Sequence, residues 1–274
     1  MTRAIALAFA YTLLSCVPAS EPHPAGAVGF AVEPSASARG EPFENDGWLL
    51  TVEKLIIRAK VVVMPVDDEW HDSLIPAEFI FDGSKQGEIF TPALSEGHLL
   101  VDAIMGSPSI SPDNPIDDQD INVVGVAPAD VKRFDQPVVQ RSDYEEYSGF
   151  AAGPTVLLVV RGQRNATSIE LDVAVRATGP LRPDDAPRVE VRANELTLAS
   201  LDVLPELVFG PELGFGTIAS ADANSDGVIT PDELELLRVP ADPAVSTSPT
   251  LLDALARRIG LVLLRPRARP RPGR

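Results

Sequence analysis

From residue 47 onward, apolar and polar positions alternate with a period of two. Leu55, Ile57, Ala59, Val61 and Val63 fall on one side, and Ile56, Arg58, Lys60 and Val62 on the other, which predicts a β-strand. Residues 88–91, 98–105 and 121–127 carry the same signature. The clearest pair is 155–161 with 167–177, joined by Gly162-Gln-Arg-Asn165. Ile169, Leu171, Val173 and Val175 face one way there, and Ser168, Glu170, Asp172 and Arg176 the other, so the hairpin has one buried face. Residues 188–193 and 195–201 complete the series. Short strands punctuated by Pro and Gly turns, without long helices between them, predict a mostly β fold: an immunoglobulin-like β-sandwich over residues 45–204.

The period then changes. Leu251, Leu252, Leu255, Ile259, Val262 and Leu263 recur at helical spacing, so residues 249–264 are expected to form a short amphipathic helix packed on the body. A Pro/Ser/Thr linker, 240–249, leads into it. The tail Arg265-Pro-Arg-Ala-Arg-Pro-Arg-Pro-Gly-Arg274 cannot be helical. It reads as a solvated, disordered basic end over 265–274, with acidic lipid headgroups or the protein's own acidic surface as its natural contacts.

Charge and composition narrow the classes. The chain is 45% hydrophobic, enough to fold, yet carries a net charge of −17, which argues against nucleic acid as a partner. That acidity suits an extracytoplasmic protein that meets divalent cations.

Met-Thr-Arg3 and the apolar run from Ala4 to Leu14 make a signal-peptide pattern, too short to cross a bilayer, which takes about 20 residues. The run ends in Leu13-Leu14-Ser15-Cys16, and Cys16 is the single cysteine. This resembles the lipobox of bacterial lipoproteins over residues 1–16. The resemblance implies lipidation of Cys16 and a membrane reached through that lipid. Val17 in place of an aspartate implies an outer-membrane or cell-surface position in the bacterial envelope. Residues 17–44 are rich in Pro, Ala, Ser, Gly and Glu and are expected to be a disordered tether.

The most specific chemistry lies in Asp222-Ala-Asn-Ser-Asp-Gly-Val-Ile-Thr-Pro-Asp-Glu233. Calcium takes six to eight oxygens, and a twelve-residue loop supplies them from positions 1, 3, 5, 7, 9 and 12. Those positions are Asp222, Asn224, Asp226, the Val228 carbonyl, Thr230 (directly or through water) and Glu233. Gly227 stands at position 6, where the chain turns with a positive φ, and Ile229 is the apolar residue at position 8. Thr230-Pro-Asp-Glu233 is also a helix-capping box with Pro at the first helical position. The loop resembles an EF-hand, of the kind found singly in secreted bacterial proteins, over about residues 212–238, within a calcium-binding segment expected at 205–240. The resemblance implies Ca²⁺ at the matched positions and nothing further.

Other chemistry is thin. Nucleophile-elbow, phosphate-loop and zinc-helix motifs are absent from the sequence. Gly214-Phe-Gly216-Thr-Ile-Ala219 fits the dinucleotide fingerprint loosely but lacks its strand–helix context. Asp113-Asn-Pro-Ile-Asp-Asp-Gln-Asp120 lacks the glycine and glutamate of a competent calcium loop. His71, His98, Met64 and Met105 are copper-type ligands that nothing in the sequence brings together. Asn165-Ala-Thr167 matches a glycosylation acceptor. The expectation is a calcium-binding, lipid-anchored protein that is not an enzyme. The alternatives are a calcium-dependent adhesion module with a protein or glycan partner, or a surface hydrolase using paired carboxylates.

Overall fold

Strand β3 (Trp48–Pro65) is the long beam of the molecule, and its partners change along its length. Its first half pairs antiparallel with β8 (Val156–Arg164) and its second half, along the same edge, with β6 (Gly97–Met105). The opposite edge takes β2 (Phe43–Asn45) and then β4 (Ala77–Asp82). Between the β2 and β4 pairings, and within the β8 pairing, β3 carries a bulge at Glu53, where the register shifts between Val52 and Lys54. Such a bulge adds twist and bends the strand. The computed structural model describes residues 27–65, 77–90, 97–105, 121–135, 153–177, 188–191, 196–211, 213–239 and 249–268.

The described chain is mostly β, in two sheets. The nine-stranded sheet runs β10 (Arg188–Val191), β6, β3, β8, β9 (Thr167–Val175) and β12 (Val228–Ile229), with β2, β4 and β7 (Ile121–Val124) on its flank. The four-stranded sheet runs β13 (Leu264–Ala268), β11 (Leu196–Val203), β1 (Ala27–Pro34) and β5 (Gly87–Phe90). One buried cluster draws on both: Leu50, Leu55, Ile57, Leu158, Leu171 and Val173 from the large sheet, and Phe30, Val32, Leu201 and Val203 from the small one.

Alternation along β3 and β8 explains the two-sided burial. Leu55 and Ile57 enter the main core, while Ile56 and Leu157 turn to the other face and pack with Ile80 and Phe134. The cover there is α1 (Pro128–Val131) and the 3₁₀ turn Lys132–Asp135, whose Arg133 pairs with Asp172 of β9. The run Leu55-Ile-Ile57 is therefore apolar throughout because both faces are covered. At the end of the hairpin, buried Thr155 accepts the Ala177 N–H at 2.8 Å, satisfying a donor that the ladder has left behind.

Three expectations change. The tether expected over residues 17–44 gives way, from Ala27 onward, to β1. That strand runs parallel to β11 and antiparallel to β5, and Phe30, Val32 and Ala38 are buried, so burial against distant partners outweighs its linker-like composition. The basic tail expected to be disordered over 265–274 begins as a strand, since β13 pairs with β11. Arg267 there reaches Asp202 through two nitrogens, at 2.6 and 2.7 Å, and Glu33 at 3.3 Å. Last, the β8–β9 hairpin is tighter than residues 162–165, with pairing up to Arg164 and Thr167. Only Asn165 (φ 54°) and Ala166 make the turn.

The helix expected over 249–264 is α4 (Leu251–Val262). Thr250 and Asp253 cap it reciprocally, and Leu251, Leu252, Leu255, Ala256 and Ile259 are buried. The signal peptide and Cys16, Asp113–Asp120 and His71 lie outside the described residues. So do the side chains of Met64, His98 and Met105; on the backbone Met64 pairs with Leu100 and Met105 with Ala59, at separate ends of the β3–β6 ladder.

Candidate metal centre

A ring cluster sets the approach to the loop. Phe215 opens α2 (Phe215–Ala219) and stacks edge-on to both Trp48 and Phe209, with ring centroids 5.5 and 5.7 Å apart. The Asn45 side chain joins the same region by donating to the Phe209 carbonyl and accepting the Phe215 N–H, each at 2.8 Å. Leu213, Phe215 and Ile218 are buried, so this short helix is held by its apolar stripe despite Gly214 and Gly216. Those glycines face the Asp46 carboxylate: a Cβ at 216 would stand 2.3 Å from Asp46 Oδ2. They give room to a side chain of this protein, in a place where the fingerprint would have them admit a phosphate.

Residues 222–228 fold around their own side chains. Asp222 accepts the Asp226 and Gly227 N–H groups, both at 3.1 Å, through separate oxygens. Asn224 Oδ1 also accepts the Asp226 N–H, at 2.9 Å, while its amide donates to Asp226 Oδ2 at 3.0 Å. Asp226 Oδ1 in turn accepts the Val228 N–H at 2.8 Å. Ser225 (φ 61°) and Gly227 (φ 81°) supply the left-handed turns. Any side chain at 227 would be strained by that φ and would also press on the Ser168 carbonyl, 3.3 Å from its Cβ.

Beyond the turn the chain meets the large sheet. The Gly227 carbonyl accepts the Glu170 N–H at 2.8 Å, and Val228 and Ile229 pair parallel with Glu170 and Leu171. The peptide plane then fixes the next groups. A trans peptide points its N–H opposite to its carbonyl, so the Val228 N–H faces away from β9, as its bond to Asp226 requires. In an extended residue N–H and C=O share a side, so the Val228 carbonyl faces away from β9 too. Ile229 is fully buried in the core.

Glu233 closes the segment at the first turn of α3 (Pro231–Leu236). Its Oε2 accepts from the Thr230 N–H and hydroxyl at 3.0 and 3.1 Å. The residue is only 9% exposed, and its Oε1 is buried with no hydrogen-bond partner. A buried carboxylate oxygen left bare costs free energy, and a cation at loop position 12 would satisfy it.

Asp222, Asn224 and Asp226 thus share one hydrogen-bonded turn, the Val228 carbonyl faces away from the sheet, and Thr230 and Glu233 stand at the helix start. Among the described residues no three His, Cys, Asp or Glu side chains are gathered closely enough to hold an ion. The loop carboxylates instead serve the loop's own N–H groups. A separate pocket of about 380 Å³ lies beside α2, between Asn45, Asp46, Phe209, Gly210 and Thr217, with Asp46 as its carboxylate. Sequence reasoning missed Asp46, although Asn45-Asp-Gly47-Trp48 carries the Asp-Gly signal of a two-residue hairpin, here with φ 52° and 76°. Comparison of the chain with family models, curated proteins and solved structures finds no match.

Proposed function

We propose that this chain is a calcium-binding, lipid-anchored extracytoplasmic protein in which one EF-hand-type loop holds a structural ion. The ligands are Asp222, Asn224, Asp226, the Val228 carbonyl, Thr230 and Glu233. The observation that carries the reading is Glu233, at the position that calcium loops reserve for a glutamate, with one buried oxygen lacking a partner. When bound, the ion supplies positive charge to three carboxylates and closes the coordination of that oxygen. No chemical step is assigned to it. The lipid anchor at Cys16 and the outer face of the bacterial envelope belong to the same proposal, supported by the residues before the cysteine.

The scaffold supports a sandwich, since a common core lies between two sheets. Its immunoglobulin-like type stands as the working comparison. Three parallel pairings, β1 with β11, β4 with β7 and β12 with β9, depart from the antiparallel sheets of that type. A second reading, a calcium-dependent ligand-binding module, is favoured by the pocket beside α2, the helix that leads into the loop.

Calcium titration of the full chain by calorimetry, with a thermal melt, tests the reading. One site per chain is expected, with a dissociation constant of about 10⁻⁴ to 10⁻³ M as in extracellular modules, and a calcium-dependent rise in melting temperature. An Asp226→Ala, Glu233→Ala double variant should lose both. No binding at millimolar calcium would leave residues 222–233 as a capped turn. For the anchor, Cys16→Ser should move the protein from the membrane fraction to the soluble one.

A further inference from the structure

We propose that strand β9 is the second half of the calcium site: it positions the loop through the hydrogen bond from the Glu170 N–H to the Gly227 carbonyl. Ion binding and the docking of β12 on β9 are then one event. The inference rests on the calcium reading above and adds the element that sets the loop's affinity.

The physical argument begins with length. A pairing of two residues, Val228 and Ile229, is too short to persist by itself, so β12 depends on its neighbours. One neighbour is the core, which takes Ile229. The other is β9, which fixes the plane of the 227–228 peptide by holding the Gly227 carbonyl at 2.8 Å. That plane decides which way the Val228 N–H and carbonyl point, and the carbonyl is the ligand at loop position 7. Release of β12 from β9 frees the peptide to rotate, and the ligand loses its direction. By linkage the coupling is reciprocal: whatever tightens β12 on β9 tightens the ion, and the ion tightens β12. β9 is itself well held at this register, since its ladder with β8 runs without a shift from Val156 and Val175 to Arg164 and Thr167.

Two substitutions at one position separate backbone from side chain. Glu170→Pro removes the N–H that faces the loop, and the β8–β9 ladder does not use that N–H. Glu170→Ala removes the carboxylate and keeps the N–H. In the full chain, calorimetry should show calcium affinity about tenfold weaker for Glu170→Pro, the size of one lost hydrogen bond, at unchanged stoichiometry. Glu170→Ala should bind within about twofold of wild type, since an exposed ion pair contributes little. A merely structural role would not move the third readout: in the wild-type chain, calcium should slow hydrogen exchange of the Glu170 amide at least about tenfold.

If the wild-type chain binds calcium while the Glu170 amide exchanges at the same rate and Glu170→Pro binds normally, β9 has no part in the site. The calcium reading then survives alone. If the wild-type chain binds no calcium, both readings fall together. Should Glu170→Pro fail to fold, exchange at Glu170 in the wild-type chain decides the matter.

Discussion

The Phe215 ring occupies the space where a side chain at residue 162 would begin: a Cβ on Gly162 would stand 2.3 Å from Phe215 Cε1. Strand β8 thus gives up a side chain so that the helix leading into the loop can lie against it. Gly162→Ala should overpack this contact and destabilise the fold by about 1–3 kcal/mol, read from the urea midpoint. Adding Phe215→Leu should recover part of the loss. An unchanged midpoint in the single variant would mean that α2 is free to shift.

Glu233 combines two tasks that one substitution can divide. Glutamine also serves at the third position of a capping box, so Glu233→Gln should leave α3 and the calcium-free melting temperature nearly unchanged. Calcium affinity should fall by about tenfold or more, because a charged ligand has been removed. Equal calcium binding by variant and wild type would reduce Glu233 to a cap.

Arg267 bridges two carboxylates that face each other across parallel strands, since Glu33 and Asp202 are register partners. Its side chain is 56% exposed, so solvent screens the interaction. Arg267→Met should cost about 0.5–1 kcal/mol at low ionic strength, and the difference should shrink in high salt. A cost independent of salt would show that packing of the side-chain stem, and not charge, holds β13.

Asp82 provides an acid limb. Burial works to raise its pKa, but hydrogen bonds from the side chains of Lys85 and Ser84 and from the Ser84 N–H, with the Lys85 charge, outweigh it, so the group lies below its ordinary 3.8. The folded value is under the unfolded one. The contribution is therefore complete above the unfolded value and disappears as pH falls through the folded value. Urea unfolding from pH 5 downward should show wild type losing stability below about 3.8 while Asp82→Asn lacks this component. Parallel acid limbs in the two proteins would refute the assignment.

Local pattern made part of this molecule legible. Alternation marked β3, β8 and β9 because each has one face, or part of one, in the core, and helical spacing marked α4 because five of its residues are buried. What stayed hidden is held by distant partners. β1 looks like linker because its strand character comes from Leu196 to Val203, and β13 looks disordered because its arginine is matched by Glu33 and Asp202. At the loop, ligand spacing was local and could be read directly. The partner of Ile229 was not, since the register of Val228 on Glu170 depends on how the whole large sheet is assembled. The bare Glu233 oxygen is likewise a product of burial, which no motif records.

The parallel pairing of β1 with β11 also sets a timetable. Ala27 waits for Leu196, 169 residues later (196 − 27), before the small sheet has its central pair. At roughly 5–20 residues per second of synthesis, the wait is on the order of ten to thirty seconds. The β8–β9 hairpin, whose strands are joined by two residues, can form as soon as it emerges. The large sheet can therefore begin to assemble during synthesis, whereas the small sheet is completed only when most of the chain exists, and its first strand must stay unpaired with β11 until then.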